Sequence, residues 1–228
     1  MKKIFLILAI ISAMPMLAQQ NLERSMVSVT GEGEVKVAPD QVLIKSRIEH
    51  EGASAAKVKR ENDEVVAQVI KYLKSQNIDE KDINTEYVNL NKKYDYNDKT
   101  HSYVANQAIS IKLRDLADYE RIMKGLLENG LNRIDEIQFM SSEIDKHKKE
   151  ARKLAVLDAQ NRARELAQPL GQNIGKAVSI SEMDYRNVQP VYRMDAAVEM
   201  SSAKGSEQTI APGLLEVKIE VNVGFELN

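Results

Sequence analysis

The chain has no cysteine and no tryptophan, and only 5% of its residues are aromatic. Without cysteine it makes no disulfide, binds no thiolate-held metal and runs no thiol redox chemistry, so its fold rests on packing or on assembly. Prolines and glycines are few (5 and 10), which speaks against collagen-like or low-complexity segments. Neither sign of charge dominates: 32 basic residues face 34 acidic ones, interspersed along the chain. A nucleic-acid surface or a polyanion site is therefore not expected. Beyond the first residues, no apolar run reaches the ~20 residues a membrane-spanning helix needs.

The start of the chain is built differently. Lys2 and Lys3 precede an apolar run from Ile4 to Ala13, and Met14-Pro15-Met16-Leu17-Ala18 has the small residues of a cleavage region. This layout predicts a secretory signal peptide over residues 1–18, with Gln19 as the new N-terminus. No cysteine follows the run, so a lipid-anchored start is excluded. Residues 19–25 are polar and expected to be loose, and the domain is expected to fill 26–228.

What remains alternates between two periods. Met26 to His50 reads as two strands broken at Ala38-Pro39-Asp40 and is expected to form an opening hairpin. A helix with Ser54 at its start runs to about Gln76, burying Ala55, Val58, Val65, Val66, Val69, Ile70 and Leu73. Two more strands follow, turned at Asn97-Asp98-Lys99-Thr100, and they carry Tyr87, Tyr94, Tyr96 and Tyr103. Such tyrosines are expected to be cross-strand pairs rather than a stacking platform. A short helix begins after Asp115 or Asp118 and ends at Asn129-Gly130. A strand around Ile134–Met140 leads into a helix from about Lys146 to Leu170, its buried stripe read as Ala151, Leu154, Ala155, Ala159, Ala163, Leu166, Ala167 and Leu170. Alanine at so many positions lets the backbone approach its neighbour closely, and Pro169 with Gly171 ends the helix. Ala177–Ile180 is a short strand. Residues 185–213 lose periodicity, with Met183, Met194 and Met200 in or beside them, and Leu215 to Phe225 alternate as a long strand. The order β-β-α-β-β-α-β-α-β-β predicts an α+β fold: mixed, mainly antiparallel sheets packed on three helices.

A search for chemistry is negative. Gly31-Glu32-Gly33 lacks the third glycine, the following helix and the cations of a phosphate loop, and reads instead as a bulge or twist in a strand, or as the place where it meets a neighbour such as the long C-terminal strand. His50, His101 and His147 lie on separate elements without metal-ligand spacing. Glu143, Asp145 and Glu150 near His147 suit a helix N-terminus. No G-x-S-x-G elbow occurs, and no spaced carboxylate pair stands out. No catalytic residue, metal site or cofactor is expected.

One set of residues is nevertheless specific in its order. Val29-Thr-Gly-Glu-Gly-Glu-Val35 precedes Pro39-Asp40, Asn62, Asp82-Ile-Asn-Thr85, Tyr103-Val-Ala-Asn106, Leu113-Arg-Asp-Leu116 and Asn129-Gly130. The alanine-rich run from Glu150 through Ala155, Ala159, Ala163 and Ala167 to Leu170-Gly171 closes it. In this the chain resembles the SIMPL-domain family, which includes bacterial periplasmic immunogenic proteins. It departs from the family pattern at Asn77-Ile78 and Ser102-Tyr103, where glycine often stands first. The resemblance implies an exported, periplasmic protein, possible association with the outer membrane, homo-oligomers of ring or cage type, and a link to envelope integrity or oxidative-stress tolerance. It implies no catalytic activity. Gly31, Gly33, Pro39, Asp40, Asn62, Thr85, Tyr103, Ala155, Ala159 and Gly171 are its structural signature. The alternative is an outer-membrane-associated adhesin or ligand-binding module, with a host-matrix or envelope partner, that uses the 185–213 loop.

Overall fold

In the computed structural model, residues 25–182 and 210–228 are described. The signal-peptide reading of 1–18, the polar segment up to 24, the three methionines and most of the 185–213 loop lie outside the described residues.

The alternating segments form seven strands: β1 (Met26–Val37), β2 (Gln41–Gly52), β3 (Ile83–Asp95), β4 (Thr100–Leu113), β5 (Arg133–Met140), β6 (Ile174–Glu182) and β7 (Leu215–Leu227). The 3.6-period segments form α1 (Ala55–Ser75), α2 (Tyr119–Glu128) and α3 (Ile144–Ala167). Element order and α+β class are as the periodicity predicts. The strands divide between two antiparallel sheets, ordered β1-β7-β6 and β3-β4-β2-β5.

The expected opening hairpin does not form. β1 pairs along its whole length with β7, from Met26 opposite Glu226 to Val37 opposite Leu215, whereas β2 sits between β4 and β5 in the other sheet. The reason lies in the break itself. A tight two-residue hairpin needs positive φ at its turn, which Pro39 cannot adopt and Ala38 rarely does. The proline's fixed φ instead suits a crossing strand, and Pro39 is buried where the chain passes between sheets.

Each sheet has its own core. α1 and α2 cover the four-stranded sheet, where Val42, Ile44, Ile48, Val69, Leu73, Ile109, Ile111, Ile122 and Leu126 are fully or almost fully buried. α3 covers the three-stranded sheet, packing Ala151, Ala155, Ala159 and Ala163 on Val29, Val217, Val221, Val223 and Phe225. At ~25 cal/mol per Å² of apolar surface, burial on this scale dominates the folding free energy of both halves. Helix ends follow local chemistry: Asn77 takes φ 61 after α1, and Gly171 takes φ 70 after the 3-10 turn Gln168–Leu170 that holds Pro169. Ser54 stands at the N-cap of α1, but its side chain makes no capping hydrogen bond.

The stripe of α3 is narrower than its periodicity predicts. The five alanines from Ala151 to Ala167 at four-residue spacing are buried, but Leu166 and Leu170 are 55% and 73% exposed and Leu154 is also exposed. A helix held so close to a sheet makes contact along a single line, and bulkier residues are displaced to its flanks.

Candidate functional site

The signature residues gather at three places. The first is the seam between β1 and α3. A Cβ on Gly31 would stand 2.1 Å from the Ala155 carbonyl oxygen and 2.4 Å from the Ala159 nitrogen. On Gly33 it would stand 1.9 Å from the Ala151 oxygen and 2.5 Å from the Ala155 nitrogen. Two glycines therefore meet three alanines backbone to backbone, so Gly31, Gly33, Ala155 and Ala159 form one contact. Asp158, one helical turn along, accepts the Glu32 N–H at 2.8 Å. On the opposite, solvated face of the sheet Lys218 contacts Glu32 at 2.8 Å and Glu220 at 3.1 Å. The hydrogen bonds it donates to these carboxylates push the Lys218 ammonium up to about 12. The helix backbone thus closes over both glycines, and the Glu32 amide is taken by a carboxylate; an anion finds no space beside them.

The second place is the crossing between sheets. Asp40 N–H donates to the Met140 carbonyl, and Leu116 N–H donates to the Asp40 carbonyl, each at 3.1 Å. The Asp40 carboxylate accepts the Ser142 N–H at 2.8 Å and also its hydroxyl. One residue thus ties the β1–β2 crossing to the β5–α3 crossing. Burial alone would raise the Asp40 carboxyl, but the two Ser142 hydrogen bonds outweigh it and hold the group below its ordinary value. A carboxyl lowered in the folded state stabilises above its unfolded pKa, about 3.9, and loses that contribution as pH falls through the lower folded value. Asp40→Ala is therefore expected to lower stability by ~1–3 kcal/mol at pH 7. Urea midpoints measured from pH 7 to 2.5 should show the gap between variant and wild type closing below about pH 4. A gap independent of pH would contradict this role.

The third place is inside the four-stranded half. Asn62 on α1 is fully buried. Its amide nitrogen lies 2.8 Å from the Ile48 carbonyl, 3.4 Å from the Ala105 carbonyl and 3.3 Å from His50 Nδ1, while Oδ1 finds no hydrogen-bond partner among the described residues. It fastens the helix to β2 and β4 at once. Nearby Thr85 Oγ1 accepts from Gln107 at 3.3 Å, and half-buried Tyr103 stands between Gly52 and Lys92. Gly171 stands apart, at the end of α3, and among the described residues beyond its chain neighbours no atom lies within 4 Å of its Cβ position.

The structure does not bring the three histidines together. His50 adjoins Asn62, His101 lies against Tyr94 with ring centroids 4.9 Å apart, and His147 opens α3 near Glu143. Tyr94 also meets Tyr96 edge to face at 4.9 Å, so Tyr94 and His101 form a cross-strand pair at the tip of the β3–β4 arm. Among the described residues no group of three His, Asp or Glu side chains is placed to hold a metal ion. A shallow groove between β1 and α3 is lined by Val29, Thr30, Arg162, Glu165 and Leu166, with Arg162 engaged by Asp158 at 2.8 Å.

Sequence reasoning missed three partners. Ser142 and Asp158 look like ordinary residues of a helix start and a helix flank. Asn132 completes a ladder: its side chain accepts the Glu49 N–H at 3.0 Å and donates to the Glu49 carbonyl at 2.7 Å, as the next residue of β5 would. No local pattern marks any of them.

Comparison with known proteins rests on sequence. A family described as SIMPL, protein of unknown function (DUF541), matches residues 27–225. The chain is 25% identical over 227 residues to the "26 kDa periplasmic immunogenic protein" of Brucella melitensis, covering 94% of this chain and 91% of that one. It is 26% identical over 220 residues to the "Uncharacterized protein YggE" of Escherichia coli K12, covering 95% and 89%. Among the described residues no helix is long and apolar enough to cross a membrane.

Proposed function

Because the chain belongs to the SIMPL family, matched from residue 27 to residue 225, we propose that it is an exported, non-enzymatic protein that assembles with copies of itself in the periplasm. There it supports envelope integrity or oxidative-stress tolerance. The observation that carries this reading is the openness of both sheets. Among the described residues β1, β6, β3 and β5 each pair on one side only, and Val88, Leu90, Val178 and Ile180 on two of these edge strands are exposed. Open edges with apolar side chains are the surfaces that strand pairing between subunits consumes. The periplasmic name of the Brucella relative and the layout of residues 1–18 support the compartment. The signature residues serve packing: they hold α3 on its sheet, join the two halves and fix α1.

Export is tested by expressing the full chain in a Gram-negative host and releasing the periplasm by osmotic shock. The expected result is a released form that starts at or near Gln19. Full-length protein retained inside the spheroplasts would overturn the compartment.

A further inference from the structure

We infer that the contact between copies is the free edge of β3, pairing antiparallel with β3 of a second copy about Asn89. The inference rests on the self-assembling reading above and adds to it the surface and the register.

The four edges are not equivalent. β1 is backed by α3, and the carboxylate of Asp158 occupies its Glu32 amide. β6 is interrupted by two register shifts, between Ile174 and Ala177 and between Ala177 and Ser179, and irregular edges resist pairing. β5 is short, and its Arg133, Asp135 and Glu136 are engaged in ion pairs with Glu49, Arg47 and Lys45 of β2. β3 has a single irregularity, between Thr85 and Tyr87, and runs unbroken from Tyr87 to Asp95 with every residue exposed. Val88 and Leu90 stand opposite Gln107 and Ala105, on the side of the sheet that α1 covers further in, yet they are 48% and 44% exposed.

The sequence of this edge is close to self-complementary. With Asn89 on a two-fold axis, Val88 of one copy faces Leu90 of the other, and Leu90 faces Val88, so the apolar pair is made twice. The same pairing sets Lys92 opposite Glu86 of the second copy at both ends, where the unbroken stretch of β3 gives way to its register shift. A parallel arrangement would set lysine against lysine. An isologous contact of this kind uses one patch twice, needs no other partner and merges two four-stranded sheets into one.

The absence of cysteine from the chain makes the register directly testable. Residues facing each other in an antiparallel pair have Cα atoms about 4.5–5.5 Å apart, within disulfide range. Under mild oxidation, Asn89→Cys protein is expected to form a disulfide-linked dimer, whereas Ser179→Cys on β6 remains unlinked. Leu90→Lys, checked for an unchanged circular dichroism spectrum, is expected to lower the mass measured by sedimentation at least two-fold. Three outcomes overturn the inference: an assembled wild type in which Asn89→Cys does not link, linking of Ser179→Cys in its place, or an unchanged mass for Leu90→Lys. In those cases self-assembly itself stands. A monomeric wild type overturns both.

Discussion

Gly33→Val is expected to abolish folding or to lower stability by ~3 kcal/mol or more, at the upper end for overpacked cores. Even the first added carbon would lie 1.9 Å from the Ala151 carbonyl oxygen. The atom it meets belongs to helix backbone, so no change of rotamer relieves the clash, and α3 must leave the sheet that Val217, Val221 and Val223 depend on for cover. Gly31→Val should behave alike, with the Ala155 oxygen 2.1 Å away. Gly224→Ala is the control, because its Cβ would meet the flexible ends of Met26 and Ser179, each at 2.5 Å. Urea unfolding of the three variants decides the matter: midpoints for Gly33→Val and Gly31→Val no lower than for Gly224→Ala would contradict the seam.

Asn62→Asp is expected to cost ~3–5 kcal/mol at pH 7, the range for an unpaired buried charge. The substitution turns a donor into an acceptor that faces the Ile48 and Ala105 carbonyls. The protein then buries a carboxylate among oxygens or keeps it protonated. Either way the folded pKa of the new carboxyl rises above its unfolded value, so the folded variant holds a proton that the unfolded chain releases. Its stability is greatest below the unfolded pKa of about 3.9 and falls as pH rises above it, the reverse of Asp40. Unfolding curves at pH 4 and pH 7 should show Asn62→Asp recovering part of its loss at the lower pH. Asn62→Leu leaves two carbonyls unpaired with no charge, and its smaller loss should not vary with pH.

These two sites also show where sequence reading stops. Alternation in β7, with Val217, Ile219, Val221 and Val223 between polar residues, identifies a strand with one covered face. The alanines of α3 identify a helix that approaches something closely. Neither pattern names the partner, because a period defines a face and pairing is set by long-range contacts. So β1 was legible as a strand whose glycines meet a neighbour such as β7, but the period alone did not decide between that neighbour and a hairpin with β2. Gly31 and Gly33 could be read as shaping a strand; only the fold supplies the helix backbone they admit. Leu154, Leu166 and Leu170 fall near the same helical stripe as the alanines, and hydrophobicity alone puts them inside. The close approach of α3 places them at its flanks. Asn62 was legible as a signature residue, but a polar side chain gives no local sign of full burial. The junction at Asp40 depends on Ser142, a hundred residues further on, which no spacing rule connects to it.

The three places have one property in common. At each of them one polar group holds backbone in position: the Asp158 carboxylate an edge amide, the Asp40 carboxylate the Ser142 N–H, the Asn62 amide nitrogen two strand carbonyls. The proposed function accordingly lies on surfaces that copies of the chain would share, not in a pocket. Light scattering behind size exclusion, on protein beginning at Gln19 and at micromolar concentration, tests this most directly. A single species with a mass at least twice that of the monomer, stable to ten-fold dilution, is expected; a monomer at every concentration would overturn self-assembly.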